Sequence, residues 1–204
     1  MVRGTFSPAR AWRPAVVARL ARTLGRMKPS PRESEVPLNS RAAQLVHGAS
    51  FYDAWRITSG KIERSALEHF LAAAEKTPRW VNLAMSARNR IVQLVGLKNL
   101  GALDNLDAAE GPKAYRPGDR VGIFTLFEDS FDEVLLGDRD KHLNVVLSVH
   151  RKLLPGGKDV DVTLTTVVNV KNLLGRLYML PVTPAHRIIA PAVLAGIAEA
   201  PHAA

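Results

Sequence analysis

The stretch LPGGKDVDVTLTTVVNV, Leu154–Val170, decides the fold. From Val160 the residues Val160, Val162, Leu164, Thr166, Val168 and Val170 alternate with Asp161, Thr163, Thr165 and Asn169. A period of two sends these sets to opposite faces of a β-strand, one of them apolar. The turn at Pro155–Gly157 just before it predicts a hairpin with whatever precedes.

What precedes also reads as strand. DEVLLGDRDKHLNVVLSVHRK, 132–152, predicts a short strand, a charged turn at Gly137–Lys141, and a longer strand with Leu143, Val145, Leu147 and Val149 on one side. YRPGDRVGIFTLF, 115–127, places a Pro117-Gly118 turn before a strand over Arg120–Phe127. Long alternating runs joined by short turns predict an antiparallel meander.

A single sheet with one apolar face needs a cover. The long apolar stretch left to supply it runs from Leu173 to Ala198 and contains GRLYMLPVTPAHRIIAPAVL, 175–194, where Ile189, Val193 and Ile197 stack at helical spacing. Pro181, Pro184 and Pro191 are expected to bend this helix or divide it, because an interior proline removes a hydrogen bond and clashes with the preceding turn. Imperfect packing of a bent helix on a curved sheet predicts a cavity between them. No membrane span is expected, since His186, Arg187 and the prolines interrupt the stretch.

Toward the N-terminus, Ser40–Leu106 reads as helical. Ser65 and Glu68 have capping-box spacing, with Leu67, Phe70, Leu71 and Ala74 following on one face. Thr77 and Pro78 suit a second helix start, followed by a stripe of Trp80, Ala84, Ala87, Ile91 and Leu94.

Composition bounds the rest. The chain has 204 residues and no cysteine, which excludes disulfides, thiolate catalysis and cysteine-held metals. Its net charge of +9 is concentrated in one place: between Met1 and Val36 there are eight Lys or Arg and only two Glu. Residues 1–36 therefore read as a basic arm, with a short amphipathic helix ending at Met27, an alternative chain start, and a linker KPSPRESEVP; residues 37–204 form the folded domain. Through the arm, weak contact with an acidic membrane is conceivable; the nearly balanced body argues against specific nucleic-acid binding. A soluble, cytoplasmic protein is expected.

G-x-G-x-x-G after a strand, the P-loop, G-x-S-x-G and H-E-x-x-H are all absent, which removes the usual nucleotide, serine-hydrolase and zinc-protease readings. No metal and no cofactor is expected. His142 and His150 lie about 26 Å apart along one strand at about 3.3 Å per residue, too far to share an ion. His47, His69 and His202 have no ligand pattern around them. His186, inside the closing helix, is placed to face the cavity, to bind a carbonyl freed by Pro181 or to serve as a hydrogen-bonded structural histidine, and His150 and Arg151 occupy opposite strand faces, with Arg151 in phase with the apolar one. Asp119, Glu128, Asp129 and Asp132 gather at strand ends, as solvated caps or as a base. Trp80, Phe124, Phe127 and Tyr178 are aromatics near predicted core faces.

The blocks TPRWVNLAMSARNRIVQLVGLKNLG, YRPGDRVGIFTLFE, DEVLLGDRDKHLNVVLSV and NVKNLLGRLYMLPVTPAHRIIAPAVL, in this order, resemble a bacterial domain-of-unknown-function family over about Arg41–Ala198. Some of its members stand behind a short-chain-dehydrogenase-like NAD-binding domain. That family is similar to the START-like or pollen-allergen-like (SRPBCC) helix-grip superfamily. The resemblance implies an α+β fold in which a curved antiparallel sheet wraps a long, kinked C-terminal helix around an apolar cavity. It implies no catalytic residue, and without the partner domain it gives no reason for a nicotinamide cofactor.

The expected function is binding or carrying of a hydrophobic, lipid-like or polyketide-like small molecule between sheet and helix. Trp80, Phe124, Leu147, Val168, Tyr178 and Ile189 would meet its apolar body, and His150, Arg151 or His186 its polar end. The alternatives are a cyclase- or hydrolase-like enzyme using the same cavity, or an adaptor acting at membranes or nucleic acid through the arm.

Overall fold

The computed structural model describes residues 29–94 and 115–198. The amphipathic helix read in the arm before Met27, and residues 95–106 of the helical region, lie outside the described residues. The α+β architecture is borne out. Seven strands form one antiparallel sheet in the order β1-β2-β7-β6-β5-β4-β3, and a long helix follows the last strand.

The strands are β1 Arg32–Glu33, β2 Phe51–Ser59, β3 Arg120–Val121, β4 Phe124–Asp129, β5 Glu133–Arg139, β6 Leu143–Leu153 and β7 Val160–Val170. The helices are α1 Ala42–Leu45, α2 Ala66–Glu75, α3 Arg79–Leu94 and α4 Leu173–Leu194, the last running into a 3-10 turn at Ala195–Ile197. The meander β4–β7 follows the sequence reading. Its longest pairing, β6 with β7, is unbroken from Leu143↔Val170 to Leu153↔Val160.

Three expectations need correction. Ser40–Leu106 is not helical throughout: Phe51–Ser59 is β2, paired along its whole length with β7. The predicted strand over 120–127 is broken by a turn, where Gly122 takes φ +58°, into β3 and β4. Gly137 lies inside β5 rather than in a turn; a Cβ there would stand 2.5 Å from the Phe127 ring and 2.2 Å from the Val145 carbonyl oxygen, so the glycine makes room for an aromatic lying across the sheet.

Of the two outcomes expected for the prolines, a bend or a division, division does not occur: α4 is one helix from Leu173 to Leu194. Proline at 181, 184 and 191 deprives the carbonyls of Leu177, Leu180 and Arg187 of helical partners. All three residues are exposed, so the missing bonds fall on the solvent side, where a helix tolerates them.

One face of the sheet, here the inner face, is apolar. Ile57, Val162, Leu164, Leu147, Val149, Val134, Leu136 and Leu126 project from it, covered by Leu67, Phe70 and Ala73 of α2 and by Ala190, Leu194 and Ile197 at the C-terminal end. Full burial of each such aliphatic side chain stabilises by roughly 1.5–3 kcal/mol. Helix α2 starts on the predicted capping box: the Glu68 amide donates to Ser65 Oγ at 3.2 Å and the Ser65 amide to Glu68 Oε2 at 2.7 Å. Helix α4 is anchored to the β5–β6 turn by Asn172, whose Oδ1 caps the Gly175 amide at 3.1 Å and whose Nδ2 donates to the Lys141 carbonyl at 3.1 Å.

The outer face is crossed by residues 34–46. The Ser34 amide donates to the Ala54 carbonyl at 2.9 Å at one end, and Ser40 and Arg41 are tied to Glu133 at the other. Residues 29–36, read as the end of the arm, thus include β1, which pairs with β2 at Arg32↔Arg56 and Glu33↔Trp55.

Candidate functional site

Strand β2 places one charged residue on the apolar inner face. By the alternation of β2, Phe51, Asp53, Trp55 and Ile57 share that face, and Asp53 stands opposite Thr166 of β7. The Asp53 side chain is 8% exposed. A carboxylate there requires partners, because desolvating it unpaired costs several kcal/mol.

It has two. Trp55 Nε1 donates to Asp53 Oδ2 at 3.1 Å, and His186 Nε2 of α4 lies 3.2 Å from Asp53 Oδ1. A carboxylate only accepts, so the proton of this contact belongs to His186 Nε2. Thr166 Oγ1 lies 3.1 Å from the same nitrogen. Both partners on Nε2 leave Nδ1 as the second hydrogen-bonding position of the ring. The edge of Phe51 or His186 meets the other's ring at 5.8 Å and 88°, which fixes the imidazole plane.

The arrangement continues along α4. Tyr178, Val182 and His186 repeat at four-residue intervals and are all half-buried. Arg88 of α3 donates from Nε to Tyr178 Oη at 2.9 Å, with its guanidinium 5.4 Å from the ring centre. Trp55, Met85, Tyr115, Val145 and Ile189 lie half-buried against the core. Around α4 the apolar surface thus carries two polar points, Asp53–His186 against the sheet and Arg88–Tyr178 against α3.

Among the residues read as ligand contacts, Phe124, Leu147 and Val168 are buried, the first two in the core cluster; Leu147 and Val168 belong to the inner-face alternation. Ile189 packs half-buried against that cluster, His186 faces inward from α4, and Tyr178 is half-buried against Arg88 of α3. Arg151 is inward too, as its phase predicts, and its guanidinium is engaged at two nitrogens: Nη1 pairs with Asp132 Oδ1 at 2.9 Å and Nη2 donates to the Ile62 carbonyl at 2.7 Å, under the Phe131 ring, while Nε is buried without a hydrogen-bond partner among the described residues. Trp80 is 47% exposed on α3. Three of the four strand-end acids are also committed: Asp119 accepts from the Arg116 amide, Glu128 pairs with Arg41, and Asp132 holds Arg151, while burial raises the pKa of the fourth, Asp129.

His150 belongs to the outer face. It stands opposite Glu133 and Thr163 and lines a groove of about 550 Å³ under residues 33–39, together with Arg56, Lys152 and Asp161. A smaller groove of about 180 Å³ lies nearby, between Pro29, Arg56 and Leu154. Neither groove includes an α4 residue. Burial lowers the His150 pKa, against the opposing pull of Glu133 and Asp132. Beside it, burial alone would raise the Glu133 carboxyl, but hydrogen bonds from the Arg41 amide and the Ser148 and Ser40 hydroxyls hold it below its ordinary value.

Asp53 is the functional candidate that sequence reasoning missed. The available signal was an acidic residue in the middle of FYDAWRITS, visible only after that stretch is recognised as a strand. Among the described residues no group of three or more His, Asp or Glu is placed to hold a metal ion.

Residues 45–193 match the model of one protein family, described as Protein of unknown function (DUF2867). No curated protein and no solved structure matches the chain.

Proposed function

Since the chain belongs to this family, whose description assigns no chemistry, we propose from its own geometry that it binds a small hydrophobic molecule bearing one polar end. The apolar part lies against the inner face between the sheet and α4, and the polar end meets His186 Nδ1. The observation that supports this reading is the Asp53–His186 pair, a polar anchor built into an otherwise apolar surface at the half-buried boundary between helix and sheet. A purely structural pair would be replaceable by packed apolar residues at little cost.

The finer fold reading belongs here as well. We read the domain as START-like, because one antiparallel sheet carries a long C-terminal helix on its apolar face. The grip is loose: only Gly175, Ala190 and Leu194 of α4 are buried, which leaves its middle turns to contact a ligand.

Titration of the purified protein with a fluorescent dodecanoate tests the reading. Saturable one-to-one binding is expected, weakened at least tenfold by His186→Ala and by Val182→Glu. Absence of saturable binding, or binding indifferent to both substitutions, overturns it.

A second reading, an enzyme using the same site, draws on one specific feature. With Asp53 accepting from Nε2, Nδ1 is the ring position that a general base would use. Turnover lost in His186→Gln while dodecanoate binding persists would favour catalysis.

A further inference from the structure

The outward side of α4 contradicts what a soluble domain usually presents. Leu173, Leu177, Leu180 and Ile188 are 69, 55, 71 and 64% exposed, and with Pro184 they fall at intervals of four, three, four and four residues, one continuous stripe. The stripe spans about 22 Å at about 1.5 Å per residue. Leu173–Ile197 is long and apolar enough to pass for a membrane span by length and composition, yet only 22% of its most apolar window is buried inside the protein. A core helix would be the reverse.

The charge around the stripe is one-sided. Between Leu173 and Leu194 the charged residues are Arg176 and Arg187, and between Arg79 and Leu94 they are Arg79, Arg88 and Arg90; the two helices hold none of the chain's 19 acidic residues. Helix α3, joined to α4 through Arg88 and Tyr178, also exposes Trp80 at 47% and Leu83 at 72%. Exposed leucines flanked by arginine, with a tryptophan exposed on α3, match the requirements of an anionic lipid surface: apolar side chains enter the acyl boundary and guanidinium groups meet phosphates.

Two features set the depth. Arg187 lies within the helix, and the carbonyls of Leu177, Leu180 and Arg187, released by the prolines, need polar partners that hydrocarbon lacks. Both are satisfied at headgroup level with the helix parallel to the membrane.

We propose that the outward face of α4 docks the protein on anionic membranes, with Leu173, Leu177, Leu180 and Ile188 inserted and Arg176 and Arg187 at the headgroups. This surface is distinct from the ligand site on the opposite side of the same helix, and the proposal stands whether or not that site binds a hydrophobic molecule.

Flotation of the full chain with vesicles of phosphatidylcholine alone, or with 30 mol% phosphatidylglycerol, tests it. Binding is expected to the anionic vesicles at low salt, falling at least tenfold in Leu180→Glu/Ile188→Glu and losing its anionic preference in Arg176→Gln/Arg187→Gln. Because the chain has no cysteine, a dye on Leu180→Cys supplies a second measurement: its emission should shift to the blue on anionic vesicles, while the same dye on Tyr52→Cys, on the outer sheet face, should not move. Vesicle binding unchanged by the α4 substitutions would place the contact in the basic arm and overturn the proposal. So would a wild-type dimer, by light scattering, that the same substitutions dissociate without any vesicle binding, since a second copy would then cover the face.

Discussion

Asp53 and His186 are 133 residues apart in the chain and meet at 3.2 Å, joining the second strand of the sheet to the middle of the C-terminal helix. The contact is the polar link between α4 and β2 within an interface otherwise made of side-chain packing. Removing Asp53 leaves Trp55 Nε1 without its acceptor and His186 Nε2 with Thr166 Oγ1 alone, so Asp53→Ala should lower unfolding stability by about 2 kcal/mol. Asp53→Asn keeps an acceptor for Nε2 and should cost less, about 1 kcal/mol. Urea unfolding measures both. Equal losses would mean that the acceptor kept by asparagine contributes nothing and the charge carries the whole effect, which would weaken the reading of the site as a hydrogen-bonded anchor.

Acid should destabilise the fold before carboxylates titrate, through His69. This residue is fully buried on α2; burial first, then the Arg64 and Arg151 cations, lower its pKa from 6.5 to about 4. A folded pKa below the unfolded one means that only the unfolded chain takes up the proton between these two values. The stability contribution is whole above about pH 6.5 and is lost as pH falls toward 4, at most about 3 kcal/mol. Comparing urea midpoints at pH 7.5 and 5 should show a clear drop in the wild type and a smaller one in His69→Leu. Parallel drops would rule His69 out as the cause.

The segment over the outer face depends on one carboxylate. Glu133 Oε1 accepts from the Ser40 and Ser148 hydroxyls at 2.6 Å each, and Oε2 from the Arg41 amide at 2.9 Å. Glutamine in its place can turn only one acceptor toward three donors, and the amide of Arg41 cannot reverse. Glu133→Gln should therefore cost about 2 kcal/mol, and Ser40→Ala about 1 kcal/mol. Hydrogen exchange should quicken over residues 34–46 in both variants. Protection unchanged there would show that β1 and α1 hold the segment without Glu133.

How far the sequence reveals this depends on how strictly each element obeys its own period. In β6 and β7 the alternation is nearly perfect, so the strands, their turn and even the inward phase of Arg151 can be read directly. In β2 it fails, because Asp53 sits inward and Tyr52 outward, and the strand is hidden by the very residue that anchors the site. For α4 the apolar pattern identifies a helix but misleads on its packing. Leucines at 173, 177 and 180 satisfy the rule for a buried face while pointing away from the sheet. The ion pairs that occupy Arg151 and Glu128 have partners remote in sequence, and no local pattern encodes them.

The seating of α4 rests on Gly175, and its replacement gives the most selective probe of the helix. A Cβ at this position would lie 2.5 Å from the His142 carbonyl oxygen and 3.0 Å from Val170 Cγ1. Backbone on the far side cannot rotate out of the way, so the first turn of α4 must lift from the β5–β6 turn, straining the Asn172 cap that holds it there. Gly175→Ala should thus lose stability, by about 2 kcal/mol, although alanine favours helix more than glycine by about 1 kcal/mol. Gly60→Ala is the matched control, since its Cβ would meet nothing closer than Asp159 Oδ1 at 3.8 Å. If the lift travels along the helix, the His186 imidazole proton resonance shifts in Gly175→Ala and stays fixed in Gly60→Ala. A stability loss with that resonance unmoved would confine the damage to the first turn and show that Asp53, Thr166 and Phe51 set the position of His186 independently of the helix start.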